Sequence, residues 1–420
     1  MVAEKTPRSL RSGPPPERRT RGDLIAAAAI AVAVAVAAAL IWWTSDARAT
    51  ISKPASEPVP TLTPATEVPT TLKQLWSAPS AKTTMPLVVA GALVTGDGNG
   101  VIGRDPRTGT ELWSYTRDLE LCGVTSVYQY AVAVYPDARG CGQVSTIDAG
   151  TGKRGPARTA YADPEVHLSS DGSTVLSAGD SRLELWRSDM VRMLGWGTLD
   201  ARVKPDVPQS PLCRLVSAAA SSAAVSVLES CPEQTEMRLT LLRPSDEEDT
   251  PEVKYEQQPG VSSDADARVI AVSDTTTAVY LPTPKPVVNI VDDTGTVTAS
   301  TLLDRAPSEA ATMSRAGDLI TWWTGDSVLV FEAAGLRYKY TVAPAPGGAP
   351  IGPGTMMAGE LLIPVTDGYD VFNAETGTGI RHIDLDRAPS DTAVVPAAAG
   401  STLVEQRADT VVALGTTVNR

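Results

Sequence analysis

Few side chains in this sequence have the type and spacing to do chemistry, and the four cysteines come first. Cys122 precedes Cys141 by 19 residues and Cys213 precedes Cys231 by 18, with a leucine before the first member of each pair. No C-x-x-C spacing occurs, which disfavours a zinc or redox dithiol site. An even cysteine count in an exported chain points to disulfides, with free buried thiols as the competing reading. Of the three pairings allowed, Cys122–Cys141 with Cys213–Cys231 closes the shortest loops, and each bridge would contribute about 3 kcal/mol through chain entropy. The two histidines, His167 and His382, stand far apart with no local histidine partner. No H-E-x-x-H, G-x-S-x-G, P-loop or EF-hand pattern is present. Asp97-Gly98-Asn99-Gly100 lacks the remaining calcium ligands and reads as a turn. The acidic run from Ser245 to Glu252 holds Asp246, Glu247, Glu248 and Asp249. It reads as a solvated loop or as a docking loop for a basic partner segment. These residues predict no catalytic site, no metal and no cofactor.

The elements that would carry such residues begin with a membrane segment. Leu24 to Trp43 are 20 residues without a charge, the length an α-helix needs to cross a bilayer core. Many are alanines; Leu24, Ile25, Leu40, Ile41 and a valine run raise the hydropathy, and Trp42 and Trp43 suit an interfacial aromatic belt. Six basic residues against three acidic ones precede Leu24, leaving −16 on the remainder of a chain whose formal charge is −13. Positive residues stay inside, so residues 1–23 read as a disordered, basic cytoplasmic tail and the rest as exported. A cleaved signal peptide competes, because Ala47-Arg48-Ala49 resembles a cleavage site, but the leader and the apolar run are both long for one. The acidic remainder disfavours nucleic acid or an anionic membrane surface as a partner.

Residues 44–71 are rich in Pro, Thr and Ala and show neither helical nor strand periodicity. Such a composition predicts an extended stalk of about 87 Å, at 3.1 Å per residue. Its Thr-Pro content would also suit glycosylation.

From Leu72 onward the sequence repeats. Leu87–Ala90, Leu93–Thr95, Val101–Arg104 and Glu111–Tyr115 read as four strands joined by turns, one propeller blade in about 30 residues. Turn positions recur near 105, 148, 189, 244, 292, 332, 373 and 415. Eight such turns predict an all-β, eight-bladed propeller over residues 72–420, with seven blades as the runner-up. Only five residues follow Gly415, too few for a last strand, whereas Leu72–Ala78 lacks preceding strands of its own. Donating that segment to the last blade would close the ring and leave no free edge at the seam. In Thr321–Asp326, Trp322 and Trp323 would face opposite sheet faces, one in the core and the other at the surface or between blades.

The best-formed turn, Asp105 to Trp113 (DPRTGTELW), resembles the pyrroloquinoline-quinone-like repeat of β-propellers, hydrophobic-x-x-Asp-x-x-Thr-Gly-x-x-x-Trp. Asp148 to Gly152 and Asn373 to Gly377 match in part, and Asp292 to Gly295 is one residue short. A structural role follows from the residue types. Asp105 can accept from its own turn, Gly109 can take positive φ, and Trp113 can wedge between blades. The same reading extends to Asp148, Gly152, Asp292, Gly295, Asn373 and Gly377. Enzymes using this quinone carry adjacent cysteines against the cofactor and an acidic calcium site; here no two cysteines adjoin. The resemblance therefore implies the fold without the cofactor. Anchored, Ala-rich and stalked, the chain is also similar to mycobacterial-type actinobacterial envelope proteins. Together these readings predict a non-catalytic, monomeric propeller that scaffolds protein partners in the cell envelope. A quinone- or sugar-binding sensor, or a quinone enzyme, is the alternative.

Overall fold

The computed structural model describes residues 20–198, 213–247, 250–345, 348–387 and 392–416. The chain forms two units that divide between Thr50 and Ile51.

The first unit is built on α1 (Arg21–Trp43), which starts three residues before the uncharged run. Thr20 caps it: its hydroxyl accepts from the Asp23 N–H, while the Asp23 carboxylate accepts from the Thr20 backbone. That reciprocal box satisfies donors that a helix start leaves open. None of its side chains is buried, and its mean hydropathy reaches 2.9, so α1 is long and apolar enough to cross a membrane. A second short helix, α2 (Asp46–Ala49), follows, and the Arg48 guanidinium lies 3.8 Å from the centre of the Trp43 ring.

The second unit is an eight-bladed β-propeller. Blades 1 to 7 span residues 87–116, 123–159, 167–197, 214–257, 268–302, 312–342 and 355–384. Blade 8 combines residues 394–415 with β2 (Lys73–Pro79), which pairs antiparallel with Thr410–Gly415 as its outermost strand. The ring is thus closed by the segment expected to be donated, and the count is eight rather than seven. The second strand of each blade is buried over nearly its whole length, as in Ala92–Asp97 and Glu360–Val365. The outer strands meet solvent and read as mixtures, as in Arg154–Thr159.

The core is divided among the seams between blades. Trp113 and Tyr115 of blade 1 pack with Ala131, Tyr135 and Ile147 of blade 2, and a corresponding cluster fills every other seam. The closing seam, blade 8 on blade 1, has the smallest cluster: Leu93, Ala399, Val404, Val411 and Ala413.

Residues 51–71 depart from the expected stalk. β1 (Ile51–Lys53) pairs antiparallel with Ser114–Thr116 as a fifth strand on the outer edge of blade 1. Beyond it the Ala55 and Val59 amides donate to the Thr151 and Gly150 carbonyls of blade 2. Ala55 and Val59 then pack on the blade 1–2 seam, Leu62 on the 8–1 seam, and Ala65 and Val68 on the 7–8 seam. Val59, Leu62, Ala65 and Val68 recur every third residue, the period of a polyproline-II helix, so a Pro-rich chain presents one apolar edge. The segment is a strap across three seams, and it reaches β2 directly.

Candidate functional site

The repeat turns are built from their own polar groups. The Asp105 carboxylate accepts from the amides of Arg107 and Thr108 at 2.9 and 2.8 Å, and the Gly109 amide returns to the Asp105 carbonyl. Asn373 does the same for Glu375 and Thr376, and Asp292 for Thr294 and Thr296. Hydrogen bonds from the Thr294 hydroxyl and then the Thr296 amide hold the Asp292 carboxyl below its ordinary value. Asp148 accepts from the Thr151 hydroxyl and, across the blade, from Gln129. Gly109, Gly152, Gly295 and Gly377 all take positive φ. These carboxylates are committed to the fold.

The aromatic residue of the motif reaches into the next blade. The Trp113 indole N–H donates to the Ala149 carbonyl at 2.8 Å, and a Cβ on Gly152 would lie 2.4 Å from that side chain. Trp76 on β2 repeats this against Pro106 and Gly109, and Tyr340 against Ala374 and Gly377. In each case an outer-strand ring of one blade sits on the turn glycine of the following blade and donates to the second residue of that turn. Tyr255 also lies on Gly295 across the 4–5 seam, but its hydroxyl donates to the Thr277 hydroxyl instead of the turn. Burial, and then the charge of Glu375, push the Tyr340 phenol up to about 12, so it remains a donor.

Three other seams carry a buried carboxylate instead. Glu405 of blade 8 accepts from Tyr369 of blade 7 at 2.5 Å and from Arg387 and Arg407 at 2.6 Å each. Burial, and then the charge of Glu405, drive the Tyr369 phenol well above its ordinary value. Glu229 of blade 4 accepts from Trp196 of blade 3 at 2.8 Å and from Arg238 and Thr240 of its own blade. Glu184 of blade 3 accepts from Arg158 of blade 2 at 2.8 Å, with Trp186, Arg182 and Arg192 also around it. Across the 5–6 seam the rings of Tyr280 and Trp322 stand 5.9 Å apart. Each seam therefore has its own latch.

Glu184, Glu229 and Glu405 belong to no motif or spacing in the sequence. The available signal was a charge inside an apolar run, as in Val225–Ser230 or Thr402–Arg407, where an acid stays buried only if it is partnered. Trp322 and Trp323 divide between two seams, and neither reaches the surface; the Trp323 indole donates to the Pro350 carbonyl at 2.7 Å.

Both disulfides are present, Cys122–Cys141 at the start of blade 2 and Cys213–Cys231 in blade 4. Of the acidic run read as a solvated or docking loop, Asp246 and Glu247 are described, and Glu248 and Asp249 lie outside the described residues. The Ser245 hydroxyl donates to the Glu247 carbonyl, and the Thr250 hydroxyl donates to the same carbonyl. His167 is exposed on the inner strand of blade 3. His382 bonds to Asp370 at 2.8 Å, near Asp367 and Asp384. The Asp370 bond is the main reason its imidazole titrates above its ordinary value. Among the described residues no group of three or more His, Cys, Asp or Glu is placed to hold a metal ion. A cleft of about 210 Å³ opens between blades 6 and 7, lined by Val342, Pro350, Ile363, Asp370 and Phe372. Ligand pockets commonly occupy about 300–1,000 Å³, so this cleft falls below their range.

No protein-family model matches the chain, and no curated protein sequence matches it. Among solved structures it is similar to BamB from Moraxella catarrhalis, at 14% identity and a TM-score of 0.47 over 83% of this chain and 99% of that one. It is also similar to a chain in the crystal structure of the Mitotic Checkpoint Complex, at 11% identity and a TM-score of 0.43, covering 84% and 94% respectively.

Proposed function

We propose that this protein is a non-catalytic scaffold, anchored in the cytoplasmic membrane by α1 with its N-terminus inside and displaying the propeller outside. The observation that carries the reading is the use of the ring's polar residues. The motif aspartates and turn glycines shape the turns, and the seam aromatics and buried glutamates hold blade to blade on them. The residues invested with special chemistry thus produce a rigid frame, and a rigid frame suits the display of loops and edges to protein partners. The basic leader and the two disulfides support export into an oxidising compartment. The turn from Asp105 to Trp113 supports kinship with the quinone-like repeat propellers.

In-cell crosslinking with mass spectrometry tests this, comparing the full chain with a control that keeps residues 1–50. Partners captured by the full chain and absent from the control are the expected result. Identical partners for both would move the function to the anchor and overturn the scaffold reading.

A further inference from the structure

Among the described residues, each blade of this ring ends in an outer strand whose far edge has no neighbour within the sheet, with one exception. On blade 1 the chain lays β1 against that edge, at Ser114–Thr116. The molecule therefore contains a worked example of its own outer edge accepting an added antiparallel strand.

The remaining outer strands differ in how they discourage such pairing. Arg154–Thr159 carries two arginines, Arg192–Gly197 one, and Glu252–Gln257 three charges. Tyr338–Val342 carries Lys339, Gly379–Asp384 carries Arg381, His382 and Asp384, and β2 carries Lys73. Charges of this kind blunt sheet edges against unwanted partners. Val297–Leu302 (VTASTL) in blade 5 has none. Its composition is β-prone, five of its six residues are exposed, and Val297 and Leu302 are 47% and 67% exposed. Among the described outer strands it is the one left unguarded.

Both ends of this strand are acidic. Before Val297 stand Asp292 and Asp293; Asp292 is committed to its turn, and Asp293 is exposed. After Leu302 stands the exposed acid Asp304, and the Arg305 that follows it pairs with Asp326 at 2.7 Å. A strand docking here meets an exposed acid at each end. The strongly acidic propeller also disfavours a second copy of itself as the occupant.

We propose that the Val297–Leu302 edge is a docking site for an extended segment of a partner protein, added as an antiparallel fifth strand with a basic residue beside Asp293. Main-chain hydrogen bonds would supply affinity, as they do for β1 on blade 1, and the Asp293 contact would add charge complementarity. This deepens the scaffold reading and rests on it.

The test pans a displayed random-peptide library against the full-length protein in nanodiscs. Expected are β-branched peptides with a basic end that slow amide hydrogen exchange across 297–302. Ala299→Lys, which restores an edge charge at an exposed position, is expected to weaken them at least ten-fold. Asp293→Asn is expected to weaken only those with a basic end. Ile380→Lys, on the already charged edge of blade 7, is expected to leave binding unchanged. Equal binding to the Ala299→Lys variant, the absence of binders, or sedimentation showing that the edge pairs two copies would overturn the proposal. Repeating the in-cell crosslinking with Ala299→Lys separates the two readings. Partners retained there sink the edge and leave the scaffold standing; partners absent even from the unaltered chain sink the scaffold itself.

Discussion

The seam between blades 1 and 2 and the seam between blades 7 and 8 occupy equivalent places in the ring and are held by opposite chemistry. In the first, an indole lies on a glycine and gives its proton to a neutral carbonyl. In the second, a fully buried carboxylate gathers two guanidinium groups and a phenol. The fold demands only that each blade grip the next. A neutral latch tolerates loss by degrees, whereas an ionic latch leaves an uncompensated buried charge when one member goes.

That contrast orders the expected effects. Glu405→Ala strands Arg387 in a site where its side chain is only 1% exposed, so urea unfolding is expected to show a loss of about 3–5 kcal/mol. Replacing Glu405, Arg387 and Arg407 together by leucine and methionines is expected to recover most of it. A single-variant loss below about 1 kcal/mol would mean the knot is solvated in solution. Next comes Gly152→Ala, which combines a φ of +70° with a collision against Trp113, for an expected cost of about 2–3 kcal/mol. Gly335→Ala, at φ +71° with open space around it, is the control and is expected to cost about 1 kcal/mol. Equal costs at the two glycines would remove the ring-on-glycine latch from the account. Trp113→Phe keeps most of the packing and loses one hydrogen bond, an expected loss of about 1–2 kcal/mol in the same assay.

The smallest effect is one of pH, at His382. Its folded value lies above the ordinary 6.5, chiefly through the Asp370 bond, so the stabilisation is fully present below that pH. It fades as pH rises through the raised folded value. An NMR titration of the imidazole, repeated with Asp370→Asn, is expected to show the midpoint falling back toward 6.5. An unchanged midpoint would assign the shift to Asp367 and Asp384 instead.

The rhythm of the ring was legible because turns repeat where backbone geometry repeats. Gly109, Gly152, Gly295 and Gly377 mark positive φ, and the residue three or four places earlier, Asp or Asn, ties each turn to itself. β2 was legible because Leu72–Ala78 copies the outer strand of blade 1 without strands before it. The glutamate latches were hidden for the opposite reason. Their partners come from other blades, so no local spacing announces them. The strap is invisible to strand and helix periodicity because its own period is three.

The strap and β2 also set a timetable. Gln406 donates to the Ser80 carbonyl, closing the ring across 326 residues of sequence. At a synthesis rate of about 5–20 residues per second, β2 waits roughly 16–65 s for the strand that completes its sheet. Throughout that wait it is an unpaired edge with apolar side chains, the kind of segment that finds wrong partners. The turns that receive Ala55 and Val59 belong to the second blade, and the edge that receives β1 to the first, so these grips become available early. The segment that closes the ring last is thus tethered beside its destination while the later blades are still being made.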